Sequence, residues 1–200
     1  MSRPSNRAIA RAPQLVTLPA IDRDADVIKS FLTDAAHVPG GRAEGVVFPE
    51  SVDEIAAVVA SAAHILPIGA QSSLTGGATP RGDLVLSTQR MTYIGEPEGQ
   101  SIRVGAGVPL AELHRFLGAR HLYYPPAPTY DGAFVGGTIA TNAAGPATFK
   151  YGVTRDWVQE ITVVLADGSI LDIRRGDVRA SDDDRVFEIE LSPRTFARRL

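Results

Sequence analysis

The sequence predicts an α+β fold, and three observations carry that reading. Residues 45–68 run strand, helix, strand, the order of a βαβ unit. Beyond Pro80 the chain changes to short β-branched runs separated by turn residues. Asp167-Gly168 lies between "EITVVLA" and "SILDI", which reads as a hairpin closed by a type I′ turn.

Taken in order, "MSRPSNRAIARAPQ" holds Arg3, Arg7 and Arg11 but no apolar core, so it is no secretory signal. Residues 1–20 are expected to be a flexible basic tail, with a transit peptide as the other reading of an Arg-rich, acid-free start. "IDRDADVIKSFLTDAAH" repeats apolar residues at Ile21, Ala25, Ile28 and Leu32, a helical spacing. "GVVFP" reads as a strand ending at Pro49. "SVDEIAAVVASAAH" opens on a capping box, with Ser51 accepting from the Glu54 amide, and lines Val52, Ile55, Val58, Val59 and Ala62 along one face. "ILPI" is the next strand, followed by the polar loop "PIGAQSSLTGGATP" (67–80).

"DLVLS", "MTYIGE" and "SIRVGAG" read as strands, the last two joined across "PEGQ". "VPLAELHRFLGAR" is a helix with Pro109 suited to its first turn and Leu110, Leu113 and Leu117 on one face. "YYPPAPTYDGAF" is irregular, and the final segment alternates charge without a closing strand.

Composition excludes whole classes. The chain has 200 residues, 44% hydrophobic and 22% charged, enough for one moderate domain or two small lobes. A net charge of -3 with dispersed basic residues argues against a nucleic-acid partner. The absence of cysteine removes disulfides, thiolate metal sites and a Cys nucleophile. No run approaches ~18 apolar residues, so no transmembrane segment is expected, and the chain is expected to be cytoplasmic.

The familiar nucleotide loops and the nucleophile elbow are missing. His37, His64, His114 and His121 lack metal-like spacing, so helix-end or surface roles are expected. Asp182-Asp183-Asp184 reads as a solvated loop. Two segments remain. Gly69, Ala70, Gln71, Ser72 and Ser73 offer close backbone approach and donors for a pyrophosphate, which carries about two negative charges. Gly136-Gly137 with Thr138, Thr141 and Asn142 offer the same qualities in "VGGTIATNAAG".

These segments resemble the FAD-binding domain of the vanillyl-alcohol-oxidase and para-cresol-methylhydroxylase (PCMH-type) flavoproteins. "PIGAQSSLTGG" is similar to that family's P-x-G-x-G-T/S-x-x-x-G loop, and "IRVGAGVPLAELHRFLGARHLYYPPAP" to its V-x-x-G-V/A-x-x-x-x-L segment. "VGGTIATNAAGPATFKYGVTRDWVQEITVVLADGSIL" resembles the following I-G-G-x-I-A-T-N-A-x-G block. The likeness runs collinearly over roughly residues 40 to 175 and is nearest the glycolate oxidase and D-lactate dehydrogenase branch.

The resemblance implies a two-lobed domain, with a small βαβ lobe at about 40–90 and a larger mixed or antiparallel sheet lobe at about 91–200. It puts the FAD pyrophosphate on Gly69 through Ser73, with Gln71 in place of the usual glycine and its side chain toward the phosphates. It puts the ribityl and isoalloxazine portions against Pro128, Thr129, Gly136, Gly137, Ala140, Thr141 and Asn142. Ser72 stands where some members carry the histidine that bonds the flavin, so FAD is expected to be non-covalent. Ile68 replaces an arginine common in the lactate and glycolate branch.

The family continues with a second Gly-rich FAD segment and a cap domain that supplies substrate-binding and catalytic residues. The chain is thus expected to be the N-terminal, C-terminally truncated part of an FAD-linked oxidoreductase of 2-hydroxy acids. A small-molecule substrate would be bound only with a cap domain, on the same or a partner chain. No catalytic residue is assigned, and Tyr130 and Asp131 are expected to serve a turn. The alternatives are a non-catalytic FAD-binding fragment and a module for another phosphorylated ligand.

Overall fold

A computed structural model describes residues 7–126, 128–183, 185–191 and 194–199, with side chains described as far as residue 190. Arg3 and Asp184, named above, lie outside the described residues. The elements are β1 (Arg7–Ile9), α1 (Ala25–Ser30), β2 (Arg42–Val47), α2 (Val52–Ser61), β3 (Ile65–Ile68), β4 (Arg81–Ser87), α3 (Leu110–Gly118), α4 (Val135–Ala140), α5 (Thr148–Tyr151), α6 (Thr154–Trp157), β5 (Glu160–Val164), β6 (Ile170–Arg174), β7 (Val186–Leu191) and β8 (Arg194–Arg199). Residues 19–50 with 62–157 form one compact unit. Residues up to 18, 51–61 and from 158 onward form the other.

In the first unit β2, β4 and β3 make a parallel sheet with β4 in the centre. Leu84, Val85, Leu86 and Ser87 are buried consecutively, as expected of a strand covered on both faces. Phe31, Val46, Ile68 and Val85 form the core beneath Val27 and Ile28 of α1. Because β3 and β4 are parallel neighbours, the chain must return along the whole sheet between Ile68 and Arg81. A helix usually makes such a crossover. Here residues 69–80 make it as a loop, which explains a long polar connection between two buried strands.

The helix expected over residues 21–37 ends at Ser30. Its start is firm, because the Asp24 side chain accepts from the Asp26 and Val27 amides. Its end is set from a distance. Asp34 is 2% exposed. Its carboxylate accepts from Ala36 N at 3.0 Å and from Ala78 N at 3.1 Å, which turns residues 33–37 out of the helix.

The unit's second core gathers Leu110, Leu113 and Leu117 of α3 with Val108, Ala133 and Val135. The strands expected at 91–96 and 101–107 contract to the bridges Ile94–Val104 and Glu98–Ser101. Further along, Gly105 N donates to Tyr93 O at 2.7 Å and Gly107 N to Met91 O at 3.0 Å. A Cβ on either glycine would collide with the backbone of residues 88–93, so this pairing is too tight and irregular for a regular ladder.

In the second unit Ser51 Oγ accepts from Glu54 N at 3.1 Å, as the capping box requires. β5 and β6 form the expected hairpin, with a different turn. A type I′ turn needs positive φ at both central residues. Only Gly168, at φ +82°, is left-handed, and its N–H donates to Leu165 O at 2.9 Å. The loop is therefore a type I turn closed by a glycine bulge. A Cβ on Gly168 would lie 2.9 Å from Ala56 O and Ala60 Cβ of α2, a second reason for glycine.

Two expectations change at the chain's ends. Arg7–Ile9 is no loose tail: it pairs in parallel with Glu188–Glu190, and Arg7 meets Glu190 at 2.6 Å. Ala8 and Ala10 are buried against Leu171, so the alternation is real but written in alanine, too weakly apolar to stand out. Strands also form among the described residues after 185, with β8 antiparallel to β7 and β7 between β1 and β8. No helix among the described residues is long and apolar enough to cross a membrane.

Candidate functional site

The loop 69–73 leaves the carboxyl end of β3, the edge at which open parallel sheets present their ligands. Its residues are half-buried. Among the described residues, no backbone N–H from Gly69 through Ser73 donates a hydrogen bond within the protein. With no partner in the protein among the described residues, these five donors are available to an external acceptor. An anion fits such a nest. Ser73 Oγ pairs with Thr75 Oγ1 at 3.0 Å and accepts from Thr75 N at 3.2 Å.

Gln71 departs from expectation. Its side chain is engaged by protein, with Nε2 donating to Ser30 O and Thr33 O, each at 2.8 Å. Its own carbonyl accepts from Ala35 N at 2.9 Å. Its φ is +55°, left-handed, which accounts for the glycine in the family's loop. The conformation costs about 1–2 kcal/mol, and three bonds at a net of about 0.5–1.5 kcal/mol each offset it.

The second segment meets the first at Phe134. A Cβ on Gly69 would lie 3.6 Å from Phe134 Cβ and Cδ2, so the loop starts beside the residue that precedes α4. The two glycines of α4 then differ. A Cβ on Gly136 would lie 2.7 Å from Ala106 Cβ, whereas one on Gly137 would meet nothing within 4 Å. Gly136 is a packing glycine, and Gly137 offers open backbone.

Thr138 is buried and donates to Val135 O at 2.8 Å, and Thr141 donates to Gly137 O at 2.8 Å. Both hydroxyl protons are therefore spent on α4 itself. Asn142, at φ +47°, accepts Arg155 N on Oδ1 at 3.0 Å, and among the described residues its amide N–H donors have no partner. Ala140 is exposed, Pro128 half-buried and Thr129 exposed. The last two precede the Tyr130–Ala133 turn, closed by Ala133 N donating to Tyr130 O at 3.1 Å. Asp131 O accepts from Ala111 N at 2.8 Å.

Sequence reasoning passed over Asp34, Phe134, Ala106 and Thr154. Thr154 is fully buried and donates its hydroxyl to Ala143 O at 2.8 Å, pinning the turn after Asn142. Beside it, burial pushes the Tyr124 phenol up, and a hydrogen bond with Thr154 partly opposes the shift. His114 lies 6.3 Å from the Tyr124 ring with Nε2 buried and unpartnered among the described residues. His37, His64 and His121 are exposed. For Asp34, the only local signal is an acid two residues before Ala36 that suits a side-chain-to-backbone turn. Asp182 and Asp183 are exposed in a turn.

Comparison with known proteins gives this geometry a family. The family model described as FAD binding domain matches residues 43–174. The D-lactate dehydrogenase of Anaerostipes hadrus is 36% identical over 154 residues, which cover 73% of this chain and 32% of that protein. The glycolate oxidase subunit GlcD of Bacillus subtilis (strain 168) is 35% identical over 157 residues, covering 72% of this chain and 33% of that protein. A solved chitooligosaccharide oxidase superposes with a TM-score of 0.70 at 20% identity, covering 80% of this chain and 36% of that one, and shares the fold. The chain spans about a third of the length of the two curated relatives. The amide nest, the open glycine and the collinear match agree: the chain belongs to the FAD-binding domain family of the PCMH type, an α+β domain with FAD as its cofactor.

Proposed function

We propose that the chain is the FAD-binding portion of an oxidoreductase that oxidises a 2-hydroxy acid of the lactate or glycolate kind. The observation that carries the reading is the run of five amides at Gly69–Ser73 without a partner among the described residues, at the carboxyl end of a parallel strand and beside Phe134. When bound, FAD supplies the hydride-accepting chemistry, and the protein's part is to bind and position it.

On this reading the Gly69–Ser73 amides, with the Ser72 hydroxyl, hold the pyrophosphate. Pro128, Thr129, Gly136, Gly137, Ala140, Thr141 and Asn142 border the ribityl and isoalloxazine portions. Gly137 permits close approach, and among the described residues the Asn142 amide and the Thr129 hydroxyl are side-chain donors still free to serve it. Gly136 and Thr141 act behind that surface, through packing and through the helix. Ser72 offers no nucleophilic nitrogen, so the flavin is held without a covalent bond. The substrate clamp and the base come from outside these residues, on the same chain or a partner, and the protein works in the cytoplasm.

The full-length protein, purified with its flavin and mixed anaerobically with D-lactate or glycolate, is expected to lose absorbance near the flavin maximum. The 200 residues alone are expected to bind FAD and keep it oxidised, because ordering substrate against flavin is worth ~7–11 kcal/mol and needs a clamp. A flavin that neither acid bleaches in the full-length protein overturns the substrate class. Bleaching by the 200 residues alone overturns the placement of the clamp and base elsewhere.

A further inference from the structure

We infer that Gln71 is a positioning residue: it staples the anion-binding loop to the end of α1 and holds the five amides in their binding geometry before the cofactor arrives. The inference rests on the assignment of Gly69–Ser73 to the FAD pyrophosphate.

A helix leaves its last carbonyls without intrahelical partners. At the end of α1 the Ser30 and Thr33 carbonyls converge on one side-chain donor, the Gln71 amide, at 2.8 Å each. Two carbonyl acceptors fix which atom of that amide faces them, since only nitrogen can donate. The Gln71 carbonyl accepts Ala35 N at 2.9 Å, so the same residue is held from its backbone as well. The turn that it grips is itself anchored, because the buried Asp34 carboxylate binds both Ala36 N and Ala78 N. Residues 30–36 are thereby tied to the crossover loop near its beginning, at Gln71, and near its end, at Ala78.

Within the first part of the loop, the hydrogen bonds to the neighbouring turn are made by Gln71. None of its amides from Gly69 to Ser73 bonds to protein among the described residues, so the Gln71 carbonyl and side chain carry its ties to α1 and the following turn. Glycine at this position would adopt φ +55° freely but could not reach the two carbonyls. A loop whose competent geometry is only partly populated binds more weakly in proportion to that population. The side chain thus acts on affinity through the shape of the empty loop, without touching the ligand.

The test compares FAD affinity in the full-length protein after flavin removal, for the parent, Gln71→Gly, Gln71→Asn and Ser72→Asp. Glycine and asparagine both tolerate positive φ, and asparagine is one methylene too short to reach. Both Gln71 variants are expected to raise the FAD dissociation constant about tenfold. In Gln71→Gly the two lost hydrogen bonds are offset by relief of the left-handed strain, so the thermal midpoint of the flavin-free protein should stay as in the parent. The band shape of bound flavin should stay unchanged in both variants, whereas a displaced isoalloxazine would alter it. Ser72→Asp, which puts a negative charge in the nest, should abolish binding. If Ser72→Asp abolishes binding while both Gln71 variants bind like the parent, the positioning role is wrong and the pyrophosphate assignment stands. If no variant weakens binding, or the parent binds no FAD, both are wrong. Weakened binding in Gln71→Gly accompanied by a lowered flavin-free midpoint also overturns the inference, because Gln71 would then serve folding rather than loop geometry.

Discussion

Gly136 N donates to Ala106 O at 2.9 Å, and a Cβ on Gly136 would lie 2.7 Å from the Ala106 Cβ. That contact separates two adjacent glycines which the sequence presents as equivalent. Gly136→Ala overpacks the interface and should destabilise the protein by about 1–3 kcal/mol. Thermal denaturation should register it as roughly 2–4 °C per kcal/mol. Gly137→Ala meets no neighbour within 4 Å. It should leave stability unchanged or slightly raised while weakening FAD binding. The opposite assignment of the two effects would mean that the cofactor does not lie over Gly137.

At Gly69 the backbone is not left-handed, so no strain is expected on substitution; the positive φ belongs to Gln71. Gly69→Ala places its Cβ 3.6 Å from Phe134, an ordinary contact, and should fold normally. Gly69→Val adds a branched side chain at the start of the loop, beside Phe134, and should weaken FAD binding at least tenfold, about 1.4 kcal/mol. Equal affinity in parent and variant, measured by flavin fluorescence titration, would place the pyrophosphate elsewhere.

With serine at residue 72, acid precipitation of the flavin-loaded protein should leave a colourless pellet and a yellow supernatant. Flavin that stays with the pellet after washing would show a covalent link through another side chain.

Burial raises the Tyr124 phenol above its ordinary pKa of about 10. The folded protein therefore holds this proton more tightly than the unfolded chain does. The associated stability is fully present below pH ~10 and is lost as pH rises through the folded value. Chemical denaturation at pH 8 and near pH 11 should show a smaller alkaline loss for Tyr124→Phe than for the parent. An identical loss in both would mean that Tyr124 ionises in the folded state as freely as it does in the unfolded one.

What the sequence determined by itself is whatever depends on neighbours a few residues apart. α2 was legible from its Ser51–Glu54 cap and apolar face, α3 from its leucine spacing, and the β5–β6 hairpin from Asp167-Gly168 between β-branched runs. The collinear glycine and proline motifs identified the family and its cofactor. The tertiary structure decided what depends on residues far apart in the chain. The parallel pairing of β3 with β4 makes residues 69–80 a crossover. Asp34 stops α1 by bonding Ala78, and Ala8 and Ala10 become core only because Leu171 covers them. Ala106 tells Gly136 from Gly137, and the carbonyls of Ser30 and Thr33 hold the Gln71 side chain. Periodicity and capping act within one or two turns of chain, whereas a single buried hydrogen bond or a close backbone approach can reverse a local preference worth about 1 kcal/mol or less per residue.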